Sequence, residues 1–488
     1  MGKKRLQPAA ASGGFPGIHC KGETEMNETK KHYLAEEPLG KLLLKFSVPC
    51  VLSMLVSALY NIVDQIFIGQ GVGYLGNAAT NVVYPYTVAA LALALLAGDG
   101  CAALLSLSLG RGEKESAHRC VGSGMMLCAA VGLVLMALGL AFQEEILTLF
   151  GVTESCHGYA AEYMTVITLG IPFYVFASGM NSVIRADGSP GYSMFATVLG
   201  AVLNLILDPV AIFALGMGVW GAAAATIIGQ AASCAATLFY FRRPKSFSLQ
   251  RASFRPSGLL CRRIGQLGIS SFITQIAIVA VMAVANNMIV LCGPRSVYGA
   301  DIPLSVVGIV MKVFGIVIAF SVGIAVGGQP IVGFNYGARN FERVRGTYSR
   351  ILWANLAVGS LAMLLFEACP QALVSLFGNE SQLYNEFACL CFRVFLGGIL
   401  LCCIQKASSI FLQSIGKPVK AAVLSLSRDV VFLLPGVVLL ARLFGVEGML
   451  WAAPAADALS ALLTLLLVGG ELKKMRGNRA GVISTVCG

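Results

Sequence analysis

Charge is scarce in this chain: Asp, Glu, Lys and Arg make up 12% of its 488 residues, against about 25% in a soluble domain. That excludes an ordinary water-soluble globule. Histidine is nearly missing. His19, His32, His118 and His157 lie in the tails or beside loops, so the apolar stretches hold none. Zinc or di-iron chemistry within those stretches is not expected. Nor is a membrane enzyme, which would need a nucleophile with its base or a histidine-rich metal spacing. The 15 cysteines include no C-x-x-C pair and one C-x-C, Cys389 and Cys391. Scattered through apolar segments, they read as small buried hydrophobes. No basic patch alternates with aromatics, so the net charge of +11 does not point to nucleic acid. Residues 1–38 lack the apolar core of a signal peptide. They read as a disordered polar tail, within which Met26 is a second candidate start.

What is abundant is apolar: 57% hydrophobic residues and 55 glycines, with a mean hydropathy of +0.78. Glycine suits helices that pack closely in lipid. Twelve apolar stretches follow one another, at 41–69, 80–108, 120–142, 158–184, 192–216, 219–241, 264–292, 303–334, 346–368, 385–412, 419–442 and 445–470. Each is long enough as a helix to cross a hydrocarbon core, which takes about 20 residues.

The sequence also repeats itself at an offset of 227 positions. Gly110 falls on Gly337, Glu115 on Glu342, Leu149-Phe150-Gly151 on Leu376-Phe377-Gly378, and Gly218-Val219 on Gly445-Val446. Six spans per half is an even number, so both halves enter the membrane the same way round and the repeat is parallel. The expected organisation is a polar tail at 1–40, a first six-helix bundle at 41–243, a basic linker at 244–263, a second bundle at 264–470, and a short tail at 471–488. Basic residues gather on one side of the loops (Arg111, Lys114 and Arg119; Arg339, Arg343 and Arg345; Lys473 and Lys474), whereas Glu144, Glu145, Glu154 and Glu380 lie on the other. The positive-inside rule then puts both termini in the cytoplasm of a cell-membrane protein. The basic linker reads as a topological signal and an anchor to anionic lipid.

Ionisable residues inside a bilayer are costly and mark function by default. Asp64 lies in the first span and Asp208 in the fifth, where Asn204 sits four residues earlier on the same helix face. Thr226 lies in the sixth span. Counted from the outer ends at about 1.5 Å per residue, these groups fall at similar depth. Two carboxylates with an amide and a hydroxyl make a proton-binding site, and the same oxygens are able to ligate Na⁺ at Asp64 and Asp208. The alternative is a polar network that only pins helices together. Asp99, in Gly98-Asp99-Gly100, reads as a local helix-end hydrogen bonder. Arg428-Asp429 reads as a local pair, or Arg428 as an interfacial group. Lys312 and Lys406 either snorkel to an interface or move a proton. Tyr60, Asn61, Tyr84, Gln275 and Lys406 are candidate cavity residues, the aromatics through cation–π contacts with organic cations.

These residues resemble the multidrug and toxic compound extrusion family over roughly 41–470. The signatures are Val63-Asp64-Gln65-Ile66-Phe67-Ile68-Gly69, Gly98-Asp99-Gly100-Cys101-Ala102-Ala103, Arg185-Ala186-Asp187-Gly188-Ser189-Pro190 and Asn204 to Pro209. To these the second half adds Gln329-Pro330-Ile331-Val332-Gly333-Phe334-Asn335-Tyr336-Gly337-Ala338 and Gln413-Ser414-Ile415-Gly416-Lys417-Pro418. The resemblance implies an all-α integral membrane protein of twelve helices in two parallel-repeat six-helix bundles forming a V. It also implies antiport that exports organic cations and drugs by alternating access, without a cofactor, driven by an H⁺ or Na⁺ gradient with H⁺ preferred. Its ion-site role falls on Asp64, Asn204, Asp208 and Thr226. The acidic pair some members carry on helices seven and ten is missing: span seven offers Gln275, Asn286 and Asn287, and span ten offers Gln405 and Lys406. The expected partners are small organic cations and membrane lipid, and the expected assembly is a monomer. The competing reading is a flippase or exporter of lipid-linked or other amphipathic metabolites.

Overall fold

A backbone in lipid has no water to satisfy it, so each apolar stretch closes its hydrogen bonds internally as helix. The structure is a computed structural model that describes residues 34–255, 257–299, 301–375 and 382–486, and among these residues there is helix and no strand. The spans are α1 Leu39–Gly71, α2 Tyr74–Arg111, α3 Lys114–Ala141, α4 Glu154–Ala186, α5 Pro190–Pro209, α6 Gly218–Tyr240, α7 Gly258–Cys292, α8 Asp301–Gly337 and α9 Phe341–Ala368. Next comes α10, which is broken into Gln382–Val394 and Ile399–Ser414 with a bend of 48°. α11 runs through Pro418–Leu426, a π-helical segment Ser427–Leu433 and Leu434–Leu450, and α12 is Ala452–Val486. Eleven of these helices are long and apolar enough to span alone, and the bent α10 makes the twelfth. The fold is therefore a twelve-helix membrane bundle in two halves of six.

Two boundaries differ from expectation. α7 begins at Gly258, which takes Arg262 and Arg263 out of the linker and into helix. α12 stays helical to Val486, while the candidate membrane span within it ends at Arg476. Hydropathy marks where a helix enters lipid, not where its hydrogen bonding stops. The tail at 1–33, Glu380 and the Leu376-Phe377-Gly378 repeat lie outside the described residues.

The repeat is visible in the backbone. The short helices Gln143–Leu149 and Pro370–Ser375 sit in matching positions between the third and fourth spans of each half. Gly218 and Gly445, repeat mates, both adopt positive φ, at 58° and 71°. Gly112 closes α2 with a left-handed φ of 78°, and its mate Arg339 adopts φ 58°, positive φ at a residue other than glycine. A Cβ in that region costs about 1–2 kcal/mol. Gly112→Ala should therefore destabilise the protein by about 1 kcal/mol. Arg339→Gly should leave its melting temperature unchanged or raise it slightly, since glycine's greater unfolded-state entropy offsets part of the relief. Thermal unfolding of the two variants in detergent checks both signs.

The halves meet through α1 against α8 and α2 against α7, which is the same contact made twice, with α2 against α8 on the dyad between them. Glycine sets the approach. A Cβ on Gly110 would lie 2.0 Å from the Phe334 carbonyl oxygen, and one on Gly337 would lie 2.4 Å from that of Leu107. Gly327 and Gly323 similarly admit Ser47 and Val51 of α1. These contacts all lie toward the end that carries the basic loops. Further along α8, Gly315 and Gly308 touch nothing within 4 Å. In α1, residues 51–67 include no buried position, whereas Leu42, Leu43, Phe46, Ser47 and Cys50 are buried. The halves close at the basic end and part toward the other.

Candidate ion and substrate site

The first half gathers its carboxylates where α1, α5 and α6 converge. Asn204 and Asp208 share one face of α5 by their i,i+4 spacing, and both are buried. Asn204 Nδ2 donates to Asp208 Oδ1 at 3.0 Å and lies 3.1 Å from Thr226 Oγ1 on α6. Asp64 of α1 comes within direct hydrogen-bonding reach of Asp208. Asp64 Oδ1 and Asp208 Oδ2 are buried and have no donor partner. Two neighbouring buried carboxylates stay ionised together only with a cation between them, and otherwise they share a proton. Among the described residues no three His, Cys, Asp or Glu side chains gather, so any bound cation would draw its other ligands from neutral oxygens such as Thr226. Tyr60, Asn61 and Tyr84 line a cavity with Asp64, Thr226 and Gln230, so Asp64 borders that space.

α1 is built to change shape near this pair. Ser53 donates to the Pro49 carbonyl, Ser57 to that of Ser53, and Asn61 to that of Ser57. Such back-bonding one turn up, above a proline that has no N–H to give, loosens and bends a helix.

Asp99 does more than cap a local turn. It accepts from Ser182 of α4 at 2.6 Å and from Ser271 of α7 at 2.7 Å, with Arg185 3.9 Å away. Gln413 of α10 donates to the Leu267 carbonyl at 2.8 Å and lies 3.2 Å from Ser271 Oγ. Asp99 is thus a tie between the halves at their closed end.

This arrangement, with a twofold-related pair of bundles and a carboxylate site in one of them, meets its family in comparison with known proteins. The family model described as MatE matches residues 49–210 and again 271–438, once in each half. The chain belongs to the MatE family. MatE relatives include a protein described as multidrug export protein MepA of Staphylococcus haemolyticus (strain JCSC1435), 23% identical over 465 residues, covering 94% of this chain and 99% of that protein. MepA of Staphylococcus aureus (strain MRSA252) is 24% identical over 444 residues, covering 91% and 96%. Among solved structures, the outward-facing conformation of a multidrug resistance MATE family transporter of the MOP superfamily aligns with a TM-score of 0.85 at 22% identity, over 91% of this chain and 98% of that one. A MOP superfamily transporter from Pyrococcus furiosus gives 0.84 at 22% identity, over 92% and 99%. The chain is a MATE-family efflux transporter with that fold.

Within this MatE fold, Lys406 does not reach the first-half cavity. It is buried in the core of the second half, with Nζ 2.6 Å from Asp429 Oδ2 of α11. Snorkelling is excluded by the same contact. Arg428 and Asp429 do pair, at 2.6 Å, and Arg428 Nε reaches Asp457 of α12 at 2.7 Å. Gln275 is half-buried on α7 and does not line the cavity that holds Asp64. Gln230 and Tyr163 also line that cavity and were not singled out in the sequence. For Gln230 the signal was present, since it stands four residues after Thr226 on the same face of α6. Tyr163 carries no mark that separates it from packing aromatics.

Proposed function

We propose that the chain exports organic cations and drugs from the cytoplasm in exchange for a cation, with H⁺ preferred over Na⁺, by alternating access. The observation that carries this reading is the closeness of Asp64 and Asp208, each with a buried oxygen that lacks a protein donor, Asp64 bordering an aromatic-lined cavity. A proton arriving from outside neutralises the pair. α1 then repacks above Pro49 and the outer cleft closes. A bound organic cation loses its counter-charge and leaves outward, after which the transporter returns and releases the proton inside. Coupling of this kind requires the affinities for proton and drug to oppose one another reciprocally. The placement of the basic loops supports cytoplasmic termini. The multidrug export described for the staphylococcal relatives supports the substrate class. The working unit is a monomer in the cell membrane.

Efflux of ethidium from proteoliposomes under an imposed pH gradient, with Na⁺ absent, tests the reading. Export that collapses with the gradient is expected. Export that needs Na⁺ whatever the pH gradient would replace the proton with sodium, and none under either gradient would overturn the substrate class.

A further inference from the structure

The second half holds its own polar centre, in the place that corresponds to the first-half cavity. At the 227-residue offset Thr226 and Gln230 of α6 fall on Ala453 and Asp457 of α12. Thr226 and Gln230 line the first-half cavity, and Ala453 and Asp457 line a cavity in the second half with Arg428 and Asp429. The fifth span of each half carries a π-helical segment, Val210–Ala214 in α5 and Ser427–Leu433 in α11. In α11 that segment presents Arg428 and Asp429.

The two centres differ in their charge. The first contains two carboxylates and no base. In the second, Lys406 meets Asp429 at 2.6 Å, Arg428 meets Asp429 at 2.6 Å and Arg428 meets Asp457 at 2.7 Å, every side chain being less than a tenth exposed. Two positive and two negative groups sum to zero. Neither Asp429 nor Asp457 has a buried oxygen without a partner, whereas Asp64 and Asp208 each have one. Buried charges persist only when paired, and here the pairing is complete from within the chain.

We infer that the Lys406 ammonium is a tethered counter-cation, holding the second half permanently in the cation-filled state that the first half reaches only by binding H⁺ or Na⁺. Lys406 is a positioning residue for the ion stoichiometry: it confines the exchangeable ion to Asp64 and Asp208. That consequence for coupling rests on the antiport reading, but the ion-binding property itself does not. Removing the ammonium leaves one guanidinium for two carboxylates, a net negative centre in a site poor in water, and such a centre takes up a small monovalent cation. The facing side chains from the other packed helices are apolar, Ile278 and Val281 of α7 and Met311 and Phe314 of α8. The further titratable groups nearby are the thiols of Cys402 and Cys403, which are neutral at ordinary pH.

The test uses the full chain carrying Asp64→Asn and Asp208→Asn, so that the first-half ion site contributes no carboxylate. To this parent is added Lys406→Gln alone, or Lys406→Gln with Asp429→Asn, which restores neutrality. Binding of radioactive sodium in detergent is measured against N-methyl-D-glucamine, and thermal stability is followed with Na⁺ and with falling pH. The parent should bind no sodium. Lys406→Gln should bind sodium at least about tenfold above the assay background that the parent gives, or be stabilised selectively by acid, and the added Asp429→Asn should abolish either gain. If Lys406→Gln fails to fold while the neutralised variant folds, the charge balance is likewise supported. Sodium binding by the parent, or a Lys406→Gln protein indifferent to both Na⁺ and pH, overturns the assignment. So does misfolding of both variants. None of these readings depends on drug export, so failure of the ethidium assay would be recognised separately.

Discussion

Asp64→Asn should reduce gradient-driven drug export to the level of empty liposomes while leaving a folded protein. The geometry gives both halves of that result. An amide accepts no proton near neutral pH, so the pair loses the group whose neutralisation, in the proposed cycle, is coupled to closure of the cleft. The amide also supplies a donor to Asp208, whose Oδ2 otherwise has none, and filling such a vacancy is worth about 1 kcal/mol or more. The variant should therefore melt no lower than wild type, and should still bind ethidium. What it loses is the linkage: the difference in drug affinity between acid and alkaline buffer, about 5- to 150-fold in coupled systems, should flatten to none. Asp208→Asn should behave similarly, because each carboxylate matters through its contact with the other. Asn204→Ala should lose less, since it removes one donor from Asp208 Oδ1 and leaves both acids. The decisive measurement is drug binding across pH beside transport under a proton gradient. Undiminished export by Asp64→Asn would remove the pair from the coupling mechanism, and lost binding together with lost export would make Asp64 a substrate ligand only.

The parts of this molecule legible in its sequence are those written in local pattern. Apolar length located all twelve spans, and the 227-residue repeat carried the parallel arrangement that the backbone then displays at Gly218 and Gly445. Asn204 and Asp208 were legible as partners because four residues make one helical turn. What was hidden depends on which helices cross. Gly98-Asp99-Gly100 looks like a helix end, yet Asp99 sits mid-helix and reaches α7, because Gly100 and Gly268 let the two backbones touch. Lys406 gives its depth from sequence but not its direction. Its contact with Asp429 depends on how α10 and α11 pack, which the sequence does not state. The π-helical segment that sets Arg428 and Asp429 side by side with Asp457 has no sequence signature at all.

Gly268→Val should trap or splay the transporter at its basic end, and it tests the closed interface as Asp64 tests the ion site. A Cβ on Gly268 would lie 1.9 Å from the Leu96 carbonyl oxygen and 2.6 Å from its carbon. These are backbone atoms inside α2, so no rotamer relieves the clash and the helices must part. Parting them strains the bond from Ser271 to Asp99, one turn along α7, and the Gln413 contact with the Leu267 carbonyl beside it. Overpacking typically costs about 1–3 kcal/mol. Here the cost falls only on conformations in which the basic ends meet, so it shifts their population by about 5- to 150-fold. Export should fall accordingly, because the proposed alternating access needs that state to be reached in each cycle. Gly265→Val is the control: a Cβ there meets nothing within 4 Å, and its helix is the same. Hydrogen exchange should quicken in α2 around Leu96 to Gly100 and in α7 around Gly268 for Gly268→Val, and stay unchanged for Gly265→Val. If both variants transported alike, the close approach of α2 and α7 would have no part in the cycle. If both failed alike, α7 itself, rather than its contact with α2, would be what valine disrupts.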